Sequence, residues 1–136
     1  MKKFFRIIDA NVSRASESLG VLEDMARLCY DSKSVSEGLR VLKDDIRNSI
    51  MEHMPDCLSQ GALVDDIVFS ASQEHDAGRR KSALQLLEEN FKMVQEALRS
   101  IEETLKVINR YELSKVFEGY RFTAYKLEKE FYGLYF

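Results

Sequence analysis

Two stretches of this chain carry the same apolar ladder. Phe5, Ile8, Val12, Ala15, Leu19, Leu22, Ala26 and Cys29 step by three and four residues. Leu84, Leu87, Phe91, Val94, Leu98, Ile101, Leu105 and Ile108 repeat that ladder at a constant offset of 79. A 3.6-residue period over so many turns predicts a long helix with one buried seam, about residues 5–30 and again about 82–110. Polar residues repeat with the apolar ones: Asn11 with Asn90, Ser16-Glu17 with Gln95-Glu96, and Glu23-Asp24 with Glu102-Glu103. Two helices built to one plan imply a duplicated unit.

Each long helix is followed by a short turn and a second periodic stretch. Val35, Leu39, Leu42, Ile46 and Ile50 predict a helix over 35–53, with Ser34 and Glu37 as a capping box. Met54-Pro55 ends it, because the residue before proline is pushed out of the helical region. Leu113, Val116, Tyr120, Ala124, Leu127, Phe131 and Leu134 predict a helix over 112–132. It echoes the second at an offset of 81, pairing Glu37-Gly38 with Glu118-Gly119 and Arg40 with Arg121. The fold expected is an all-α four-helix bundle in one domain, 1–136: hairpin one at 5–53, a crossover at 54–80, hairpin two at 82–132. Short linkers make the helices of each hairpin antiparallel neighbours. A crossover of that length points to a functional or mobile segment.

Composition removes several function classes. Hydrophobic residues make up 45% and charged ones 32%, with one proline, so disorder is not expected. The net charge of −3 gives no global attraction for nucleic acid, although Arg79-Arg80-Lys81 is a local basic cluster. The apolar N-terminal run is broken by Arg6 and Asp9, too short for a signal peptide or a membrane span, so a cytoplasmic protein is expected. Cys29 and Cys57 form neither a disulfide framework nor a metal spacing, and Cys29 reads as core filler. Isolated glycines exclude a phosphate-binding loop. His53 and His75 follow Glu52 and Glu74 rather than forming Glu-x-x-His, which excludes a di-iron bundle and leaves both as surface residues. No nucleophile triad can be assembled.

The repeated polar residues support two readings. Glu23 and Glu102 border the seams and need cationic partners, which Arg14, Arg27, Arg40, Lys43, Arg99, Lys106 and Arg121 can supply as a structural ion-pair network. Alternatively the same residues form a ligand site, with acidic pairs able to hold Mg²⁺. The aromatic end, Phe131-Tyr132-Gly133-Leu134-Tyr135-Phe136, should close the bundle and leave a contact surface for a homodimer or another partner.

Residues 6–27, from Arg6-Ile7-Ile8-Asp9-Ala10-Asn11 to Glu23-Asp24-Met25-Ala26-Arg27, resemble the opening of a small helical domain of thiamin biosynthesis. Asn90-Phe91-Lys92, Gln95-Glu96-Ala97-Leu98-Arg99 and Ile101-Glu102-Glu103 resemble its second signature. That domain occurs in some bacteria ahead of thiamine-phosphate synthase and is described as a hydroxymethylpyrimidine phosphate kinase. At 136 residues there is no room for a synthase barrel, which takes about 200 or more, so a stand-alone copy is expected. The chain departs from the family at Lys43-Asp44, where Arg-His is usual, in the crossover, and at Met93, where an Arg is expected after Lys92.

The resemblance implies ATP-dependent phosphoryl transfer to 4-amino-5-hydroxymethyl-2-methylpyrimidine phosphate. Charge suggests Arg14, Arg27, Lys92 and Arg99 for phosphates, and Glu23, Asp24, Glu102 and Glu103 for Mg²⁺ or its waters. Asn11, Asn90 and Gln95 suit the aminopyrimidine edge, and Glu17 or Glu96 the hydroxymethyl group. The site is expected as a polar cleft where the N-terminal ends of the first and third helices meet the crossover. The missing Arg and the altered crossover predict weak or absent turnover with binding retained. The alternatives are a non-catalytic pyrimidine- or nucleotide-binding bundle docking on thiamine-phosphate synthase, and a purely structural oligomerisation bundle.

Overall fold

The computed structural model describes residues 2–59, 61 and 82–136. The expectations placed on most of the crossover, on Arg79-Arg80-Lys81 and on His75 fall outside these residues. Four helices account for most of the described chain: α1 (Lys2–Asp24), α2 (Lys33–His53), α3 (Ala83–Val107) and α4 (Tyr111–Tyr135). A π-helical turn, Met25–Cys29, extends α1, and a 3₁₀ turn, Pro55–Ser59, follows α2. No strand occurs among the described residues. None of the described helices is long and apolar enough to cross a membrane.

Cross-helix contacts fix the topology. Asn11 Nδ2 lies 3.3 Å from Ser100 Oγ, and Ser18 Oγ lies 3.8 Å from Met93 Sδ, so α1 and α3 are antiparallel. Arg121 meets Glu102 and Gln95 meets Glu128, so α3 and α4 are antiparallel as well. Ser49 bonds Tyr120 while Gly38 faces Leu127, which makes α2 and α4 antiparallel. Around the bundle the order is α2, α1, α3, α4. The helices α2 and α3 therefore run parallel on a diagonal, which no short turn can join.

The ladders of α1 and α3 become the core. Ile8, Val12, Ala15, Leu19 and Leu22 are fully buried, as are Leu87, Phe91, Val94, Leu98 and Ile101. Cys29 is exposed instead of filling the core. The π turn inserts one residue into the helical register, so the inward place passes to Tyr30, whose ring packs on Phe131, Tyr135 and Phe136. The aromatic end thus closes the bundle, with Tyr132 and Phe136 left exposed.

Helix α2 starts two residues earlier than expected. Ser32, not Ser34, is its N-cap, accepting the Val35 N–H at 3.4 Å. Both hairpin turns pass through a left-handed residue, Asp31 (φ 50°) and Asn109 (φ 63°), types that tolerate that conformation.

The repeat between α2 and α4 also differs from the expected offset of 81. Val116 and Leu134 are exposed, and Phe117 is buried in their stead. The structural equivalences run at 78: Asp31 with Asn109, buried Val35 with Leu113, Ser36 with Ser114, and Leu39 with Phe117. The step from 79 to 78 is the extra residue of the π turn in the first hairpin. It also shows in the capping bonds, Ser32 N to Ala26 O in one half and Arg110 N to Leu105 O in the other.

Candidate functional site

Two acidic residues of the repeat are structural. Glu102 is 1% exposed and accepts two bonds from Arg121, Nε at 2.6 Å and Nη2 at 3.2 Å. A bidentate, desolvated pair of this kind clamps α3 to α4. The Glu102 hydrogen bond holds the Arg121 guanidinium even more firmly protonated than usual. The rings of Phe122 and Tyr125 cover it, 5.1 and 5.9 Å from the guanidinium carbon. In the first hairpin Glu23 accepts from Lys43 Nζ at 3.0 Å, tying α1 to α2. Lys43 and Arg121 are equivalent at the offset of 78, so Lys43, a departure from the family pattern, completes the matching clamp.

The asparagines share another role. Asn11 and Asn90 each donate Nδ2 to the carbonyl one turn back, Ile7 and Leu86, both at 2.8 Å. Both are largely buried. Asn11 Nδ2 also reaches Ser100, and Arg14 Nη1 lies 3.5 Å from the Asn11 oxygen. Asn90 is thereby engaged within its own helix.

The expected cleft at the joined N-terminal ends of α1 and α3 does not form, because antiparallel packing puts those ends at opposite ends of the bundle. Glu23-Asp24 and Glu102-Glu103 are separated by roughly 20 Å along the helix axes, at 1.5 Å per residue. The four carboxylates expected to share Mg²⁺ are not brought together. Among the described residues no group of three His, Cys, Asp or Glu side chains could hold a metal ion.

What the structure does assemble is a groove of about 740 Å³ over the α3–α4 seam. Lys92, Gln95, Glu96, Arg99 and Glu103 line one side, at helical spacing on α3, with Ser100 beside them. Arg121 and Tyr125 of α4 form the other. Five residues expected at the site are therefore neighbours here, while Arg121 and Tyr125 were not among them. Their signal in the sequence was weak, since α4 lies outside both repeated signatures.

The groove's cations on α3 are lightly held, unlike Arg121. Arg99 Nη2 lies 3.1 Å from Glu103, and Lys92 Nζ lies 4.0 Å from Glu96, all four side chains at least half exposed. Such i,i+4 pairs contribute only about 0.3–0.5 kcal/mol and give way readily to a phosphate. Gln95 Nε2 donates to Glu128 at 3.0 Å, which orients its amide along the groove wall. Met93 is not part of the wall; it faces Ser18 of α1.

The remaining expected residues lie elsewhere. Asp24 pairs with Arg27 at 3.3 Å on the surface, and Glu17 is exposed. Glu23 and Arg27 border a second, smaller groove of about 370 Å³ with Ser32, Lys33, Glu37 and Arg40. The two grooves are not symmetry mates. At the positions equivalent to Lys92 and Arg99 the first hairpin has Ser13 and Gly20. Cations of the α3 pattern survive in one half of the duplication.

Comparison with known proteins was decisive for the family. The model of the ThiD2 family matches residues 6–130. This chain belongs to the ThiD2 family. It is a helical domain related to thiamin biosynthesis. A thiamine-phosphate synthase of Prochlorococcus marinus (strain AS9601) is 33% identical over 126 residues, covering 93% of this chain and 34% of that protein. One from Thermosynechococcus vestitus is 33% identical over 127 residues, covering 91% and 34%. One from Nostoc punctiforme is 28% identical over 131 residues, covering 95% and 35%. This ThiD2 chain spans about a third of the length of the curated relatives it matches. No solved structure matched.

Proposed function

We propose that this ThiD2 domain binds 4-amino-5-hydroxymethyl-2-methylpyrimidine phosphate in the α3–α4 groove and transfers the γ-phosphoryl group of ATP to it. The observation that carries this reading is the pairing of two lightly held cations, Lys92 and Arg99, with an oriented amide, Gln95, on one wall of a groove of ligand size. Lys92 and Arg99 lie about 10 Å apart along α3, two helical turns, which suits phosphates at the two ends of a ligand pair.

In the reaction an oxygen of the substrate's phosphate attacks the γ-phosphorus of ATP, a P–O–P bond forms, and the bond to ADP breaks. Such a transfer needs positioning and charge neutralisation more than covalent help. Lys92 and Arg99 hold phosphate oxygens. Gln95 reads the aminopyrimidine edge with a donor and an acceptor, and Tyr125 offers a ring face for the pyrimidine. Glu96 and Glu103 are the groove's carboxylates, two turns apart, and either one would hold the nucleotide's Mg²⁺, with phosphate oxygens and waters supplying the other ligands. When bound, that ion neutralises phosphate charge. Glu102 is committed to Arg121 and takes no part.

A second reading, binding without turnover, is favoured by the same carboxylates, since Glu96 and Glu103 are each already paired with a cation of α3. ADP release measured while the pyrimidine phosphate is titrated, with calorimetry beside it, tests both. Turnover near 1 s⁻¹, an ordinary enzyme rate, supports the kinase reading. Heat without ADP supports the binding reading. Neither heat nor ADP overturns both.

A further inference from the structure

The outer side of α4 carries a run of aromatic residues that the bundle leaves largely in solvent. Tyr111, Phe122, Tyr125, Tyr132 and Phe136 are all exposed. Together with Lys115, Glu118 and Lys129 they step by four and three residues along the whole helix, the heptad spacing of a coiled-coil seam. This stripe is offset by two residues from the buried one at Leu113, Phe117, Ala124, Leu127 and Phe131, and so lies on the solvent side of the helix, with Tyr125 at its edge toward α3.

We propose that this stripe is a self-complementary interface through which two copies of the chain pair, α4 against α4 in antiparallel register about a two-fold axis between Phe122 and Tyr125. An antiparallel heptad seam sets each first-type position against a second-type position of the other helix. With the axis placed there, every layer matches. Phe122 meets Tyr125 of the second copy, and Tyr111 meets its Phe136. Glu118 meets Lys129 of the second copy, an opposite-charge pair made twice by the symmetry. Lys115 meets the ring of Tyr132, a cation–π contact. A parallel pairing would instead set Glu118 against Glu118 and Lys129 against Lys129, so charge complementarity selects the antiparallel arrangement. A seam along 25 residues is about 38 Å long, enough for an interface of ordinary size.

The pairing reaches the groove. Tyr125 both lines the groove and sits in the central layer of the stripe, so the second copy's Phe122 packs on the groove's own wall. The two grooves then flank the axis, each bordered by the other copy. This inference does not depend on the identity of the ligand.

Sedimentation equilibrium on the full chain tests it, with helix content followed by circular dichroism. The wild type is expected as a dimer of the 15.8 kDa chain. Glu118→Lys alone and Lys129→Glu alone each set like charges together and should weaken association at least roughly tenfold. The double variant E118K/K129E restores the opposite pairs and should recover association, and Phe122→Glu should give a monomer of unchanged helix content. A monomeric wild type overturns the proposal, including one that binds thiamine-phosphate synthase through the same stripe. A dimer indifferent to Phe122→Glu overturns it, and so does a double variant no better than the singles.

Discussion

Glu102 and Arg99 sit one turn apart on α3 and do opposite work. Glu102 is fully desolvated and clamped by Arg121; Arg99 is largely exposed and lightly held. Removing one partner of a buried pair leaves the other charge uncompensated, so Glu102→Ala should lower stability by about 3 kcal/mol. A denaturation midpoint measures it, and an unchanged midpoint contradicts the clamp. The cysteines divide in the same way. Cys57 is buried with Asp56 and Asp9 nearby, and burial first, then those carboxylates, pushes its thiol up to about 11. Its folded value lies above its unfolded one, so its stabilising contribution is complete below about pH 8.5–9 and is lost as pH rises toward 11. Stability should therefore fall across that alkaline window, and Cys57→Ala should flatten the slope. In native protein an alkylating agent should modify Cys29 and spare Cys57.

At the scale of the elements, the ladders of α1 and α3 were legible because eight repeated apolar positions leave no other helical face to bury. The π turn was not. An inserted residue within Met25-Ala26-Arg27-Leu28-Cys29 carries no composition signal, and it is the capping bonds and the packing of Tyr30 against the aromatic end that reveal it. The register of α4 against α2 was misread for a related reason. Shifting a helix by three residues nearly preserves its apolar stripe, so identities such as Glu-Gly and Arg could favour 81 over 78. Gly38 and Gly119, paired by that misreading, stand in different surroundings. A Cβ on Gly38 would lie 2.7 Å from Leu127 Cδ2, whereas one on Gly119 meets nothing within 4 Å. Gly119→Ala should raise stability by about 0.5–1 kcal/mol through helix propensity. Gly38→Ala should gain less or lose stability, because Leu127 must move. Equal gains in thermal melts would contradict the close α2–α4 approach.

At the scale of the molecule, the described residues of the duplication show two matching clamps, and the α3 pattern of cations stands in one half alone. The sequence reading spread its candidate site over both hairpins, because an offset of 79 says what repeats and not how the repeats face each other; five of its α3 residues line one groove. Antiparallel packing of α1 on α3 separates the halves and leaves Lys92, Gln95 and Arg99 beside Tyr125 in one groove. The most direct test is calorimetric titration of 4-amino-5-hydroxymethyl-2-methylpyrimidine phosphate into wild type, Arg99→Ala and Arg27→Ala. The expected result is binding by wild type and Arg27→Ala, with affinity lowered at least roughly tenfold in Arg99→Ala, about 1.4 kcal/mol, and unchanged melting temperatures. Loss of binding in Arg27→Ala with Arg99→Ala unaffected would move the site to the first hairpin and contradict the account.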